Sequence, residues 1–271
     1  MFARQSATRP LRRAVGGALA VVLGLLAAPA AEIGFSRPVP LVAQAQSCPE
    51  IVVPAYFDND HEWKEMADTR QVGIVVLNVQ SGPGKRRSAV IAQRVQAVQA
   101  SGAEVLGYVP TDLAARPPKQ ARKDIRKYWQ WYGVDGIYLD EVQSEKRYVP
   151  YYRKLSRTIR RGPAGKTFVM LNPGYTPHRA YMALADVIEN YEYFHNRYAG
   201  QRFPAWVASY PPERFAHVVH NVPDSPAALE STLALARANN AGYVFITNLP
   251  NPRQYKGLPS FWDDKVDALC G

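Results

Sequence analysis

The chain has 271 residues, 33 Lys and Arg against 23 Asp and Glu, a formal charge of +10 and 47% hydrophobic residues. That apolar content excludes a disordered polyelectrolyte, because enough surface can be buried to offset chain entropy. Two cysteines exclude a disulfide-dense scaffold and a zinc site built on several thiolates.

Arg9, Arg12 and Arg13 form a basic start, and an uncharged run follows from Ala14 to Ala31. Small residues come at Ala28-Pro29-Ala30 and again at Ala43-Gln44-Ala45. A basic start, an apolar middle and a small-residue cleavage site make up a secretory signal. Residues 1–45 are therefore read as a signal peptide cut after Ala31 or Ala45, with a retained membrane anchor as the alternative. Residues 46–271 form a single mature domain. Residues 1–47 hold five arginines against Glu32, so +4 of the charge belongs to this segment. The mature protein is expected to be secreted, periplasmic or in the cell envelope, without stable membrane insertion. In an oxidising compartment Cys48 and Cys270, at the two ends of the mature chain, are expected to pair.

Short β-branched or apolar runs predict strands, and longer stretches of 3.6 period predict helices. Strands are expected at 51–56, 73–78, 104–109, 134–139, 167–171, 186–191, 217–220 and 242–247. Helices are expected near 61–68, at 89–101, 118–132 and 149–161, briefly near 179–184, and at 225–239 and 259–269. The stretch before Pro212 has no clear period. Eight alternating strand–helix units with strands apolar on both faces predict a closed (β/α)8 TIM-type barrel. The barrel also sets the first strand beside the last, which suits the cysteine pair. A doubly wound open sheet is the alternative, but no Gly-rich phosphate loop supports a nucleotide-binding version.

In such a barrel the site forms at the C-terminal ends of the strands. Those ends carry Tyr56 and Asp58, Asn78, Tyr108 with Thr111 and Asp112, Asp140-Glu141, Asn172, Glu192, His220-Asn221, and Thr247-Asn248. The strongest unit is Gly136-Ile-Tyr-Leu-Asp140-Glu141, where two acids end a strongly apolar strand. Glycoside cleavage needs two carboxyl groups, one to protonate the leaving oxygen and one as nucleophile or base. Strand neighbours face opposite ways, so Glu192 is the better partner for Asp140 than Glu141 is. By the same rule Glu189, an odd step from Glu192, is expected to face away from it. Tyr108, Tyr138, Tyr175, Tyr191, Tyr193, Trp206 and Tyr210 fall near strand ends or their loops, and aromatic faces suit sugar rings.

Metal chemistry is a weaker reading. Asp58-Asn-Asp60-His61 offers ligands, but there is no HxH or HExxH, and no metal or cofactor is expected. Basic residues crowd two predicted helices, Lys119 to Lys127 and Arg153 to Arg161. They read as a solvated face or a means of adhering to an anionic wall or matrix. Without a recognition motif, nucleic acid is not an expected partner.

The segments VPAYFD (53–58), VVLNVQSGPG (75–84), VLGYVPTDLAAR (105–116), DIRKYWQWYGVDGIYLDE (124–141), LNPG (171–174), ADVIENYE (185–192) and NPRQYKGLPSFW (251–262) resemble, in order, the spherulin-4 family, related to glycoside hydrolase family 135. The resemblance implies a (β/α)8 barrel and an endo-acting hydrolase of α-1,4-linked N-acetylgalactosamine polymers such as galactosaminogalactan. It also implies a carboxylate site at Asp140, Glu141 and Glu192. Family members often read VNPxSGPG where this chain has Asn78-Val79-Gln80 before Ser81, and Lys85-Arg86-Arg87 follows the loop. That departure bears on the polymer, not on the carboxylates. The combined expectation is Asp140 as nucleophile or base and Glu192 as general acid, with exchange of the two possible in principle, and Glu141 tuning or positioning them. Asp58, Asn78, Tyr108, Tyr138, Asn172, Tyr193 and Asn248 are expected to line the sugar site. The protein is expected to be a monomer whose partner is a polysaccharide substrate. A non-catalytic carbohydrate-binding or matrix protein and a metal-dependent polysaccharide deacetylase are the other two classes.

Overall fold

All eight apolar runs form strands, and they pair in chain order around a ring. The computed structural model describes residues 48–269. In it β1 (Glu50–Ala55), β2 (Val72–Leu77), β3 (Glu104–Pro110), β4 (Gly136–Asp140), β5 (Phe168–Leu171), β6 (Val187–Phe194), β7 (Phe215–His220) and β8 (Tyr243–Ile246) make a closed parallel barrel. Closure comes from β1 against β8, with Glu50 opposite Tyr243 and Ile51 opposite Val244. The predicted (β/α)8 barrel is thus the fold. The expected signal segment, residues 1–45, and Cys270 lie outside the described residues, and the expected Cys48–Cys270 bridge with them. Among the described residues no helix is long and apolar enough to cross a membrane.

Helices α1 (Asp60–Asp68), α2 (Ala89–Ala100), α3 (Pro118–Tyr132), α4 (Val149–Arg160), α6 (Pro226–Ala238) and α7 (Trp262–Ala268) follow β1, β2, β3, β4, β7 and β8. Each starts where the local chemistry favours it. Asn59, Ser88 and Ser225 accept a backbone N–H as N-caps of α1, α2 and α6. Pro118 opens α3, and Gly133 ends it in the left-handed region. Two units depart from expectation. After β5 there is only a 3-10 turn, Arg179–Ala183. After β6 the stretch without a clear period holds the single-turn α5 (His195–Tyr198) and two 3-10 turns.

Val52, Val53, Ile74, Val75, Val105, Leu106, Ile137, Val169, Ile188, Val218 and Val244 are fully buried. Each such side chain contributes about 1.5–3 kcal/mol of transfer free energy. One close approach links this packing to the site. A Cβ on Gly107 of β3 would come within 2.4 Å of the Tyr128 ring on α3. Gly107 lets that ring press on the sheet, where the Tyr128 hydroxyl donates to the Leu77 carbonyl, 3.0 Å away at the end of β2. Gly107→Ala is expected to destabilise the fold by about 1–3 kcal/mol through overpacking, read as a lower midpoint in urea unfolding. An unchanged midpoint would show that α3 shifts freely.

Candidate active site

Asp140 ends β4, and Tyr138 two residues earlier shares its inward face. The backbone there is clamped from three sides. Thr111 N–H donates to the Asp140 carbonyl at 3.0 Å. The Thr111 hydroxyl lies 2.7 Å from the same oxygen and 3.2 Å from the Tyr152 hydroxyl of α4. Tyr152 in turn accepts the Gln143 N–H at 2.8 Å. These bonds are buried, so each is costly to leave unmade.

Asn172, just after β5, stands between Asp140 and Glu192. Its Nδ2 donates to Asp140 Oδ1 at 2.9 Å and to Glu192 Oε2 at 2.6 Å. Its own oxygen accepts the Gly174 N–H at 2.7 Å, which fixes the amide the right way round. Gly174 holds φ +69°, a left-handed turn that glycine makes without strain. The Gly174 carbonyl then accepts the Glu192 N–H at 3.0 Å, tying this loop to β6. Because both carboxylate oxygens sit on one nitrogen, they lie no more than about 5.5 Å apart, the total of its two bonds of 2.9 and 2.6 Å.

Four tyrosines wall the pair. The Tyr108 hydroxyl bonds Asp140, and the Tyr255 hydroxyl donates to Glu192 Oε1. The Tyr56 ring is 5.5 Å from Tyr108 and 5.2 Å from Tyr255, and Tyr108 stacks on Tyr138 at 6.1 Å. Beneath them Glu189 is only 1% exposed. Its Oε2 accepts the Tyr138 hydroxyl at 3.1 Å, and its carboxyl hydrogen-bonds Glu192. This corrects the expected facing of Glu189. The β6–β7 register shifts between Glu189 and Tyr191, and one inserted residue brings positions three apart onto the same face.

Burial, then the charge of Glu192, push the Asp140 carboxyl up to about 6. Burial first, then Glu192 and Asp140, push Glu189 well above the usual carboxylate range, so it is a neutral acid at pH 7. Two carboxyl groups can share a hydrogen bond only if one is protonated. The fully buried Glu189 is the one that holds the proton, so it donates and Glu192 accepts. Among the described residues no group of three or more His, Cys, Asp or Glu is arranged to hold a metal ion.

The other expected site residues fall in three places. Tyr108 and Tyr138 are in the wall and floor just described, and Tyr138, 3% exposed, supports Glu189 rather than facing the cleft. Tyr193 is 51% exposed at the rim, 4.9 Å from Phe194 and 6.5 Å from His220. Asp58 and Asn78 line a side cleft of about 180 Å³ with Tyr56 and Arg94. There Asp58 is drawn to the surface by an ion pair with Arg94 of α2, and Asn78 Oδ1 accepts the Gly82 N–H at 3.2 Å, shaping the Ser81–Gly84 turn. Asn248 bonds Ser260 twice, at 2.8 and 3.2 Å, closing the loop that carries Tyr255. Glu141 adopts φ +55° and turns its Oε2 to the Asp112 N–H at 2.9 Å, so it braces the loop after β3.

Of the remaining expected aromatics, Tyr191 packs on Tyr198 at 4.6 Å and on His217 at 6.0 Å, away from the carboxylates. Trp206 and Tyr210 pack on Phe215 at the opposite end of the strands. Sequence reasoning missed Tyr255 and Glu189. Tyr255 lies in a loop with no periodicity, although the segment 251–262 containing it was one of those carrying the family resemblance.

The Spherulin4 profile, described as spherulation-specific family 4, matches residues 50–269. The chain belongs to this family. Spherulin-4 of Physarum polycephalum is 28% identical over 148 residues, 53% of this chain and 44% of that protein, so the match spans less than half of the relative. Among solved structures, Aspergillus clavatus Sph3 in complex with GalNAc superposes with a TM-score of 0.73 at 24% identity, over 82% of this chain and 98% of that one. The Rhizomucor miehei chitinase RmChi1 superposes at 0.52 and 12% identity, over 82% and 99%. The Bacillus cereus spore cortex-lytic enzyme SleL superposes at 0.54 and 10%, over 81% and 74%. At these identities the likeness is one of fold, the closed eight-stranded (β/α)8 barrel.

Proposed function

We propose that this protein is an exported glycoside hydrolase that cuts within an α-1,4-linked polymer containing N-acetylgalactosamine and galactosamine. The observation that carries the reading is the carboxyl pair Asp140–Glu192, bridged by Asn172 and walled by tyrosines at the C-terminal mouth of the barrel. Carriage of GalNAc by the structurally similar Sph3, and the resemblance of this chain's motifs, support the amino-sugar substrate. The N-terminal signal pattern supports export.

Two carboxyl groups this close share one proton up to about pH 6. The singly protonated pair is the reactive form, with one acid to protonate the glycosidic oxygen and one carboxylate to meet the anomeric carbon. Asp140, whose carboxyl is pushed up to about 6 by burial and the charge of Glu192, holds the shared proton and is assigned the general acid. Glu192, which accepts from Asn172, Tyr255 and the neutral Glu189, is assigned the nucleophile, the exchange of roles that the sequence had left open. Asp140 then returns as base to activate the water that releases the sugar. The separation of about 5.5 Å or less suits the retaining geometry rather than the inverting one of roughly 6.5–9.5 Å.

Incubating the purified protein with galactosaminogalactan is expected to release new reducing ends as oligomers of retained anomeric configuration, followed by proton NMR. No release from that polymer would overturn the reading in favour of a binding protein. Acetate release without chain cleavage would replace it with deacetylation.

A further inference from the structure

The basic helices singled out in the sequence play no part in the carboxylate site. α3 and α4 pack side by side and carry nine Lys and Arg against the single acid Asp124. That acid is already engaged by Arg116. At the far end of α4, Arg160 is engaged by Asp186 at 2.7 Å. Between the helices runs a groove of about 450 Å³ lined by Arg122, Arg126, Lys154, Arg157 and Arg161 around Trp129. No acidic residue lines it, and none of its five cations has a salt-bridge partner among the described residues. The Trp129 indole N–H has no hydrogen-bond partner among the described residues. Its ring lies under Gly162, where a Cβ would meet it at 2.5 Å, so the aromatic floor is built into the turn after α4.

Five like charges around one concavity repel one another and raise the cost of the empty groove. An anion relieves that repulsion. Four of the five are arginines, whose planar forks pair two-to-two with carboxylates. We propose that the α3–α4 groove is a second, non-catalytic binding site for a carboxylate-bearing polysaccharide, a uronate polymer. The choice of a glycan over another polyanion rests on the catalytic reading above and on the groove's indole floor, against which a sugar ring can lie. A membrane surface fits poorly. The exposed large hydrophobic residues, Val90, Leu113, Tyr175 and Tyr193, all lie off α3 and α4, so nothing apolar projects beside the cations to enter a bilayer. In this arrangement the groove tethers the enzyme to an acidic matrix while the mouth of the barrel works on the amino-sugar chain.

The test is titration calorimetry of the full mature chain with polygalacturonate, in parallel with neutral dextran, a duplex DNA and phosphatidylglycerol vesicles. Wild type is expected to bind polygalacturonate, more weakly as salt rises, and to ignore dextran. The Arg126→Glu/Arg157→Glu double variant is expected to lose at least tenfold in affinity with an unchanged melting curve. Its hydrolysis of galactosaminogalactan is expected to equal that of wild type. Absence of polygalacturonate binding, equal binding by the double variant, or tighter binding of DNA or vesicles than of polygalacturonate would each overturn the proposal. Loss of hydrolysis in wild type with polyuronate binding intact would sink the catalytic reading alone.

Discussion

Replacing Asp140 by Asn, or Glu192 by Gln, is expected to lower kcat on galactosaminogalactan by about 10³-fold or more with little change in KM. On the proposed mechanism each change removes a group that acts on the reacting bond and leaves the tyrosine walls of the cleft in place. Such a loss corresponds to about 4 kcal/mol of transition-state stabilisation. The wild-type pH profile gives the same pair a second signature. The reactive pair holds one proton, and that proton leaves near pH 6 because burial and the charge of Glu192 raise Asp140 to about 6. Activity is therefore expected to fall as pH rises through about 6, and to fall again in acid once both groups are protonated. A profile flat from pH 5 to 8 would mean that the two carboxyl groups do not share a proton.

Wild-type stability is expected to fall with rising pH as activity does, and the two part company only in the Asp140→Asn variant. Asp140 titrates near 6 when folded and near 3.8 when exposed. Between those values the native state holds the proton more tightly than the unfolded chain, so wild-type stability declines as pH rises from about 4 to 6. Asp140→Asn has no such ionisation. It is expected to melt at a higher temperature than wild type at pH 7, with the difference shrinking toward pH 4. An inactive variant that is also more stable cannot owe its inactivity to misfolding. A lower melting temperature at pH 7 would instead show that the charged Asp140 is held comfortably by its donors.

The barrel was legible because its strands are short, apolar on both faces and separated by helices of clear period. Asp140, Asn172 and Glu192 were legible as polar residues ending such strands. What the sequence did not show depends on single backbone events and on partners distant in the chain. The shift in β6 reverses the facing expected for Glu189. The left-handed Glu141 sends that side chain to Asp112 rather than to Asp140. Asp58 is claimed by Arg94, 36 positions away, and Tyr255 reaches Glu192 from a loop 63 positions away. None of these has a periodic signal.

Glu189 is the consequential case, because three carboxyl groups occupy one buried site with no cation among the groups acting on it. Those groups are Tyr138 and Asp140 from β4 and Glu192 from β6, with the neutral Tyr255 beside them on its loop. The site is tolerable only if Glu189 stays protonated. As a neutral donor it holds Glu192 in place and lowers the cost of charge there. Glu189→Gln keeps the shape and a donor, and is expected to retain activity within about tenfold. Glu189→Leu leaves Glu192 without that donor and Tyr138 without its acceptor. It is expected to lower kcat by about 10–100-fold, as loss of a buried bond to a charged group worth about 1.5–3 kcal/mol implies. Without the donor Glu192 is free to move relative to Asp140, so the limb of the pH profile near 6, which Asp140 sets under the influence of Glu192, should shift. A purely structural Glu189 would lower the melting temperature in both variants and leave the profile where it is. A shift in the Leu variant alone, with Gln restoring the wild-type profile, identifies a positioning residue that works through its proton.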